Sequence, residues 1–176
     1  GNLDMVFKLP LEMIDDVLGE LDEAKRGGNS PFQMQVSPAF SVQFYGFQHQ
    51  SQLFNNKDVR LAFNHAIDRN SLVTYTLQGD GTAATYGIVP PGFKGYDYAG
   101  LKGFSFDPEK ARELLAKAGY PKGKGFPELT LQINSGGSIN EQVAEAIQSM
   151  LKEHLNITIK MEVMPFAQHL ENVEAG

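Results

Sequence analysis

Apolar residues recur at three- and four-residue spacing in several segments of this chain, and this spacing predicts helices. The predicted helices begin near Met13, Asn56, Asp107, Ser138 and Phe166, and a further short one runs from Ser71 to Leu77. Glycine is favoured just past a helix end, so Gly27-Gly28 is expected to end the first helix and Gly119 the helix that follows Asp107.

Three of these helix starts carry recognisable caps. Asn55-Asn56 offers a cap to the second predicted helix. Asp107 is an N-cap residue followed by a proline at the first helical position. Ser138 and Glu141 have the spacing of a capping box, in which the two side chains satisfy free amide groups at the helix start. These features predict where the three helices begin.

Alternation of apolar and polar residues predicts strands elsewhere in the chain. It is clear in residues 129–133 and 157–163, and with the helix between them these segments predict a β-α-β unit with two parallel strands. Residues 32–47 alternate as well, which predicts two strands interrupted at Ser37-Pro38 in the sheet core. A short apolar run over residues 3–7 predicts another strand.

Composition narrows the class of protein. The chain has 176 residues, 41% of them hydrophobic and 20% charged, as expected for one soluble globular domain. Its net charge of -6 is spread along the sequence, which argues against a nucleic-acid partner, and the absence of cysteine excludes disulfides and thiolate metal sites. No apolar run approaches the roughly 18 residues that a membrane-spanning helix needs.

Several motifs resemble those of one protein family. Residues 55–69 read Asn-Asn-Lys-Asp-Val-Arg-Leu-Ala-Phe-Asn-His-Ala-Ile-Asp-Arg, and the glycine- and proline-rich stretch 87–92, the helix start 106–111 and the β-α-β unit ending near Phe166 follow in order. In this order and spacing they resemble bacterial family 5 extracellular solute-binding proteins, the oligopeptide- and dipeptide-binding group. The resemblance spans nearly the whole chain.

The resemblance implies an α/β fold, in which residues 1–176 form a single lobe of the type II periplasmic-binding-protein kind, with a mixed sheet flanked by helices. It implies that this is the second lobe of a two-lobe protein that closes on its ligand like a Venus flytrap, with the first lobe and the signal sequence outside this chain. The start of the chain, residues 1–5, accordingly lacks the basic and apolar regions of a signal peptide.

The function implied by the resemblance is the substrate-binding component of an ABC importer, which captures peptides or a similar small solute and catalyses nothing. The implied partners are the ligand, the permease subunits and the N-terminal lobe; no cofactor and no metal is expected. The implied location is the periplasm, or a lipid anchor on the outer face of the cytoplasmic membrane. Within this family the ligand stays open among oligopeptides, dipeptides, nickel complexes, haem and oligosaccharides.

Three residues are implied as ligand contacts. Family members often carry Tyr or Leu and then Gly-Phe-Asn at the cleft edge, where this chain has Tyr45-Gly46-Phe47-Gln48. Tyr45 and Gln48 are therefore candidates, whereas Phe47 is expected to pack in the core. Phe166 falls where the family commonly has an aromatic residue, often Trp, that lines the pocket. Packing within the lobe is the alternative role for Tyr45 and for Phe166.

Two other classes of function stay open. A small α/β hydrolase or transferase could use Asp80 or Asp97 in the glycine-rich loop of residues 79–103 as acid or base, and it should then hold a strongly perturbed carboxylate in a pocket. A protein-interaction domain would keep an exposed apolar patch in the full-length protein. The acid and base pair Asp68-Arg69 is more simply a structural feature at a helix end. The four histidines lack metal-ligand spacing.

Overall fold

A computed structural model of the chain describes residues 6, 9–10, 13–27, 32–35, 39–85, 87–90, 92–97 and 100–175. The chain divides into two units, Gly1–Phe40 and Ser41–Gly176. The first unit contains helix α1, Ile14–Gly27, which ends at the predicted glycine. Apart from Val6, the strand predicted for residues 3–7 lies outside the described residues.

Within its described residues, the second unit contains helices and two strands. Its helices are α2 (Gln52–Asn55), α3 (Lys57–Ala66), α4 (Arg69–Ser71), α5 (Pro108–Lys117), α6 (Ser138–Leu155) and α7 (Phe166–Ala175). Helix α4 continues into a π-helical turn, Leu72–Thr76, within the short helix predicted from Ser71 to Leu77; the sequence did not predict its π-helical form. A 3-10 turn spans Pro121–Gly123. The strands are β1 (Leu129–Asn134) and β2 (Ile159–Met164).

The two strands form a parallel pair connected by α6. The register pairs Leu129 with Ile159 and Asn134 with Met164. Because side chains alternate along a strand, one face of this small sheet carries Leu129, Leu131 and Ile159, which pack in the core. Ile133 lies on the same face and is also buried. The β-α-β prediction is confirmed, and so is the α/β class with a small sheet flanked by helices.

The hydrophobic core lies between α3, α5, α6 and the sheet. Its buried members come from all four elements and their connections: Val59, Ala62, Phe63, Ala66, Ala111, Leu115, Leu151, Leu155, Ile157 and Ile159. The apolar faces predicted for these helices from their spacing are therefore the faces that pack together.

A chain of aromatic contacts joins the segment before α2 to the segment before β1. Phe47 contacts Phe54 and Phe63, with ring centroids 4.8 and 5.9 Å apart. Phe63 in turn lies 5.9 Å from Phe126, which packs edge-on against Tyr120 at 4.9 Å. Such offset and edge-to-face pairs add to the stabilisation from burial. The prediction that Phe47 packs in the core is confirmed.

The strands predicted over residues 32–47 are wrong for the residues described there. Residues 32–35 and 39–47 form no strand, and Phe40 and Phe44 are 64% and 68% exposed instead of buried in a sheet core. Alternation identifies a segment that could bury one face, but a strand also requires a neighbour to which its backbone can hydrogen bond. In the described part of this segment no such neighbour pairs with it.

The caps agree with the sequence at two helices and differ at a third. Asn56 Oδ1 accepts from Asp58 N at 2.9 Å, and Asp107 Oδ1 accepts from Lys110 N at 3.0 Å. At α6, however, the N-cap is Gly137, whose φ of 115° is a conformation that favours glycine, and no side chain caps the helix. Ser138 is therefore already inside the helix, and the predicted capping box does not form.

The glycine-rich loop of residues 79–103 has neither helix nor strand in its described portions, 79–85, 87–90, 92–97 and 100–103, as predicted. Gly103 N donates to Thr85 O at 2.7 Å, which closes part of the loop on itself. Beyond it, Asp107 N donates to His65 O at 2.9 Å, which ties the start of α5 to the end of α3. Across the part of the chain that the structure describes, no helix has the length and apolar character needed to cross a membrane.

Candidate ligand-binding site

The two parallel strands end side by side, and Phe166 lies just beyond them. Ser135 N, one residue after β1, donates to Met164 O at the end of β2 with a distance of 2.7 Å. Phe166 follows β2 by two residues, begins α7 and is 57% exposed. In open α/β sheets, ligands commonly bind outside the carboxyl ends of the strands. Phe166 therefore presents an exposed aromatic ring at the edge of the sheet where a ligand is expected.

A tight loop after β1 borders the same edge. Asn140 Nδ2 donates to Asn134 O at 3.2 Å and approaches Asn134 Oδ1 at 3.4 Å, which holds the loop across its ends. A side chain on Gly136 would lie 2.8 Å from Asn134 Nδ2 and 3.1 Å from Asn140 Nδ2, so a larger residue there would displace the ends of these two asparagine side chains. The local sequence thus fixes the path of the chain next to Phe166.

Helix α7 is attached to the outer face of β1 through polar side chains. Gln132 Nε2 lies 2.8 Å from His169 Nδ1, and Asn172 Nδ2 donates to Gln132 Oε1 at 2.8 Å. Asn172 Nδ2 also lies 3.3 Å from Met164 Sδ. These contacts set the position of the helix that begins with Phe166.

The apolar residues of α7 are partly exposed. Phe166, Leu170 and Val173 are 57%, 42% and 62% exposed, and their spacing of four and three residues places them along one stripe of the helix. Helix α7 is therefore hydrogen-bonded to β1 through polar residues, while part of its apolar stripe stays accessible.

The segment that carries Tyr45 and Gln48 is anchored by Phe47 between them. Tyr45 is 41% exposed, and burial of the remainder of its side chain raises the pKa of its phenol, which keeps the hydroxyl protonated as a hydrogen-bond donor. Gln48 is exposed, and its Oε1 accepts from Gln50 N at 3.1 Å, so its acceptor is already engaged in a local turn.

The structure does not join the three predicted residues into one site. Among the described residues, no hydrogen bond or ring contact links Tyr45 or Gln48 to Phe166. The aromatic contacts of Phe47 lead to Phe126, which precedes β1, whereas Phe166 follows β2. Their roles as ligand contacts stay predictions.

Sequence reasoning missed the three polar residues that hold α7. Alternation along β1 placed Gln132 on the polar face of its strand, which was a correct but incomplete signal. Its partners lie 37 and 40 residues further along the chain, and nothing in the spacing of His169 or Asn172 indicates this pairing.

Asp68 is the N-cap of α4, and Arg69 is the first residue of that helix. Asp68 Oδ2 accepts from Ser71 Oγ at 2.7 Å, and Asp68 Oδ1 accepts from the backbone N–H groups of Ser71 and Asn70 at 3.1 Å. The hydroxyl bond from Ser71 and these backbone bonds, with a smaller contribution from His154, hold the pKa of Asp68 below its usual value. Its carboxylate is therefore a cap, as the structural interpretation of this pair predicts.

Open grooves occur at the opposite end of the sheet from Phe166. One of about 470 Å³ lies against the second half of α6 and the start of β2, where Lys152, Glu153 and Thr158 form part of its lining. It is shallow, and the amino end of a parallel strand is not the edge where α/β sheets usually bind ligands. Within the described ranges, no group of three or more His, Asp or Glu residues is placed to hold a metal ion.

The sequence of the chain matches one known protein family over its length. A family model described as "Bacterial extracellular solute-binding proteins, family 5 Middle" matches residues 1–176. The chain belongs to family 5 of the bacterial extracellular solute-binding proteins. The resemblance inferred from the motifs is confirmed.

Curated members of family 5 align with most of the chain. The oligopeptide-binding protein AppA of Bacillus subtilis (strain 168) is 29% identical over 148 residues, covering 77% of this chain and 26% of AppA. The glutathione-binding protein GsiB of Escherichia coli O6:K15:H31 (strain 536 / UPEC) is 34% identical over 147 residues, covering 83% of this chain and 27% of GsiB. The chain thus spans about a quarter of the length of these two relatives.

Solved structures of family 5 proteins share the fold. An oligopeptide-binding protein of Borrelia burgdorferi superposes with a TM-score of 0.62 at 30% identity, over 70% of this chain and 24% of that protein. AppA of Bacillus subtilis, solved with a nonapeptide, gives a TM-score of 0.61 at 29% identity, over 72% of this chain and 27% of AppA. The fold is that of a type II periplasmic-binding protein, as the motifs implied.

Proposed function

We propose that this chain is part of the substrate-binding component of an ABC importer, which captures peptides or a similar small solute in a cleft between two lobes. Residues 1–176 form one lobe of that protein, the first lobe supplies the opposite wall, and closure on the ligand presents the complex to the permease subunits. The protein works in the periplasm or is lipid-anchored on the outer face of the cytoplasmic membrane. It catalyses no reaction.

The match of the family model to residues 1–176 carries the proposal. The relatives named above are binding proteins for oligopeptides and for glutathione, which is itself a small peptide. Peptide is therefore the ligand class that we propose. A ligand that contacts both lobes shifts the population toward the closed form, because only that form gives it both sets of contacts.

The exposed ring of Phe166 supplies the main contact from this lobe in our proposal. An aromatic ring recognises a peptide through burial of area rather than through one particular side chain, so it tolerates different peptide sequences. Tyr45 adds a hydroxyl donor, and Gln48 adds the amide N–H groups that its local turn leaves unused.

The geometry gives less support to a hydrolase or transferase. Among the described residues, Asp68 is the carboxylate whose pKa is shifted, and it is held by hydrogen bonds in a helix cap rather than placed in a pocket. The apolar stripe of α7 would also suit an interaction domain, but in the two-lobe proposal ligand or the first lobe covers it.

Native mass spectrometry of the full-length protein, purified gently from its source, tests the proposal. Bound mass in a ladder consistent with peptides would support it, and one discrete small mass would point to another solute of the same cleft. If no mass is bound, and no peptide or sugar panel gives a thermal shift, the importer proposal is wrong and an interaction domain is favoured.

A matched pair of variants tests the role of Phe166. We expect Phe166→Ala in the full-length protein to weaken peptide binding about tenfold or more, because buried aromatic anchors dominate binding energies. Tyr75→Ala is the control, since Tyr75 is another strongly exposed aromatic residue, at 79%, in the π-helical turn. Equal affinities for the two variants, measured by calorimetry, would remove Phe166 from the site.

A further inference from the structure

The pairing of β1 with β2 leaves one edge of β2 open. Leu129 N donates to Thr158 O, the residue directly before β2, and the register continues from there without a break. Backbone groups of successive residues in a strand point to opposite sides, so every second residue of β2 faces away from β1. No strand among the described residues pairs with that side. We call it the outer edge of β2, and its residues are Ile159, Met161 and Val163.

A side chain from α6 occupies one acceptor on the outer edge of β2. Gln148 Nε2 donates to Ile159 O at 2.6 Å. The amide group of glutamine carries the same kind of N–H donor as a peptide group, so it stands where the backbone N–H of an added strand would donate. Gln148 is half-buried, which shields this bond in part from water. Gln148 therefore closes the outer edge of β2 at its amino end.

The approach to the rest of the outer edge is open. The groove of about 470 Å³ lies beside its amino end, with Gln148, Lys152 and Ile159 in its lining. Further along, Met161 is half-buried and Val163 is 46% exposed. Within the described ranges, Gln148 is the residue whose side chain hydrogen bonds to the backbone of this edge. Removal of that one side chain would leave the whole edge free to pair.

The charges on β2 fit a second copy of the same strand. Lys160 and Glu162 are exposed, and both lie on the face of the strand opposite the core. When two copies of β2 lie antiparallel about Met161, Lys160 of each copy is directly opposite Glu162 of the other. The same register places Ile159 opposite Val163. Opposite charges and apolar pairs on facing strands both stabilise their pairing, so the strand is complementary to itself.

Lys160 has another partner within the chain, which does not prevent this pairing. Its Nζ lies 2.7 Å from Glu128 Oε1, and the two side chains are 67% and 52% exposed. An ion pair this exposed contributes little to stability, so Lys160 can turn to a carboxylate on a facing strand at small cost. Glu162 makes no ion pair with any of the described residues and is available for the same contact.

We propose that the outer edge of β2 is an interaction surface for a second copy of this chain, and that Gln148 keeps it closed. A two-fold axis at Met161 would join the two-stranded sheets of both copies into one continuous sheet with a self-complementary interface. An open strand edge is a template for pairing with another chain, and natural proteins commonly block such edges. The proposal is independent of Phe166 and of the ligand.

Sedimentation velocity of the full-length protein over a range of concentrations tests the role of Gln148. We expect Gln148→Ala to raise the association constant for dimerisation about tenfold or more over the wild type, because neither copy then has to break a hydrogen bond before pairing. Gln142→Ala is the control, since Gln142 is an exposed glutamine of the same helix. It should sediment like the wild type.

Charge variants in the Gln148→Ala background test the register. Glu162→Lys sets ammonium groups opposite each other, and Lys160→Glu does the same with carboxylates, so each variant alone should lose the self-association. An equimolar mixture of the two should associate again, because each copy then meets the opposite charge at both positions. This recovery distinguishes antiparallel pairing of β2 from association through any other surface.

A Gln148→Ala protein that associates no more strongly than the wild type would overturn the proposal. A dimer that neither charge variant weakens would do so as well, and so would a mixture that does not recover. Circular dichroism checks that each variant is folded. If Gln148→Ala does not fold, Gln148→Glu replaces it at neutral pH, because an ionised carboxylate cannot donate to Ile159 O.

Discussion

Arg69 Nη2 donates a hydrogen bond of 3.0 Å to Asn64 Oδ1, while Arg69 Nη1 donates to the backbone oxygen of the same asparagine at 3.1 Å. Nη1 also lies 3.4 Å from Ile67 O and 3.5 Å from Phe104 O. One guanidinium thus satisfies carbonyl groups at the end of α3 and reaches the segment that leads into α5. Burial lowers the pKa of Arg69, so this cation is partly removed from water and depends on these acceptors.

We expect Arg69→Ala to lower the free energy of unfolding by about 2 kcal/mol, because several charge-assisted hydrogen bonds are lost. Arg69→Lys should recover less than half of this, since an ammonium group cannot reproduce the planar fork of the guanidinium. Urea denaturation measures both values, and Arg112→Ala at an exposed position of α5 is the control. A loss for Arg69→Ala no larger than for the control would contradict this role.

The cap formed by Asp68 should appear as a pH dependence of stability. Its folded pKa lies below the 3.8 of an ordinary aspartate, so the stabilisation is complete above that value and is lost as pH falls through the lowered folded pKa. Asp68→Ala should destabilise the protein by about 1 kcal/mol at neutral pH. It should also show a smaller further loss on acidification than the wild type.

Urea midpoints at about pH 6 and about pH 3 check this prediction, because the two values lie on either side of the aspartate titration. Asp80→Ala serves as the control, since Asp80 is exposed in the glycine-rich loop. If wild type and Asp68→Ala lose the same stability between the two pH values, the cap does not act through its charge.

Two glycines after α5 have similar backbone conformations but different surroundings, so substitutions there can distinguish the cost of backbone strain from that of a steric clash. Gly123 and Gly125 have φ values of 72° and 76°, a region that costs other residues about 1–2 kcal/mol. A side chain on Gly123 would also lie 2.5 Å from Leu155 O, whereas nothing lies within 4 Å of the corresponding position on Gly125. We expect Gly125→Ala to show only the conformational cost and Gly123→Ala to be clearly less stable than Gly125→Ala. Thermal unfolding of the pair measures the difference, and equal stability would mean that the contact with Leu155 relaxes freely.

The sequence predicted those elements whose signals are local. The apolar faces of α3, α5 and α6 follow from helical spacing, and the caps at Asn56 and Asp107 follow from side chains that reach their own helix. The strands β1 and β2 were predicted from the alternation of apolar and polar residues. The helix between them indicates that they are parallel, because parallel strands need a long crossover connection. For these elements the physical cause lies within the segment itself.

The remaining features depend on partners that a local pattern does not contain. Residues 39–47 alternate like a strand, but no neighbouring strand pairs with them among the described residues, and Phe44 is exposed. Gly137 displaces the cap predicted at Ser138 because a positive φ at one residue moves the helix start by one position. In the candidate site, Phe166 is exposed near the strand ends, and its role as a ligand contact stays a prediction. The contact between Gln132 and His169 could be found only from the fold.

The parallel pairing of β1 and β2 has a consequence for how this part of the chain folds. Each residue of β1 pairs with a residue thirty positions later, as Leu129 does with Ile159, so no tight turn can start the pairing. The strands can meet only after the chain between them has been shortened, and α6 shortens it by coiling most of those residues into one helix. The entropy cost of bringing the two strands together comes before the hydrogen bonds between them can form. The transition state for folding should therefore contain α6 together with its contacts to Ile157 and Leu115. Substitutions that weaken α6 should then slow folding, whereas those in α7 should mainly accelerate unfolding.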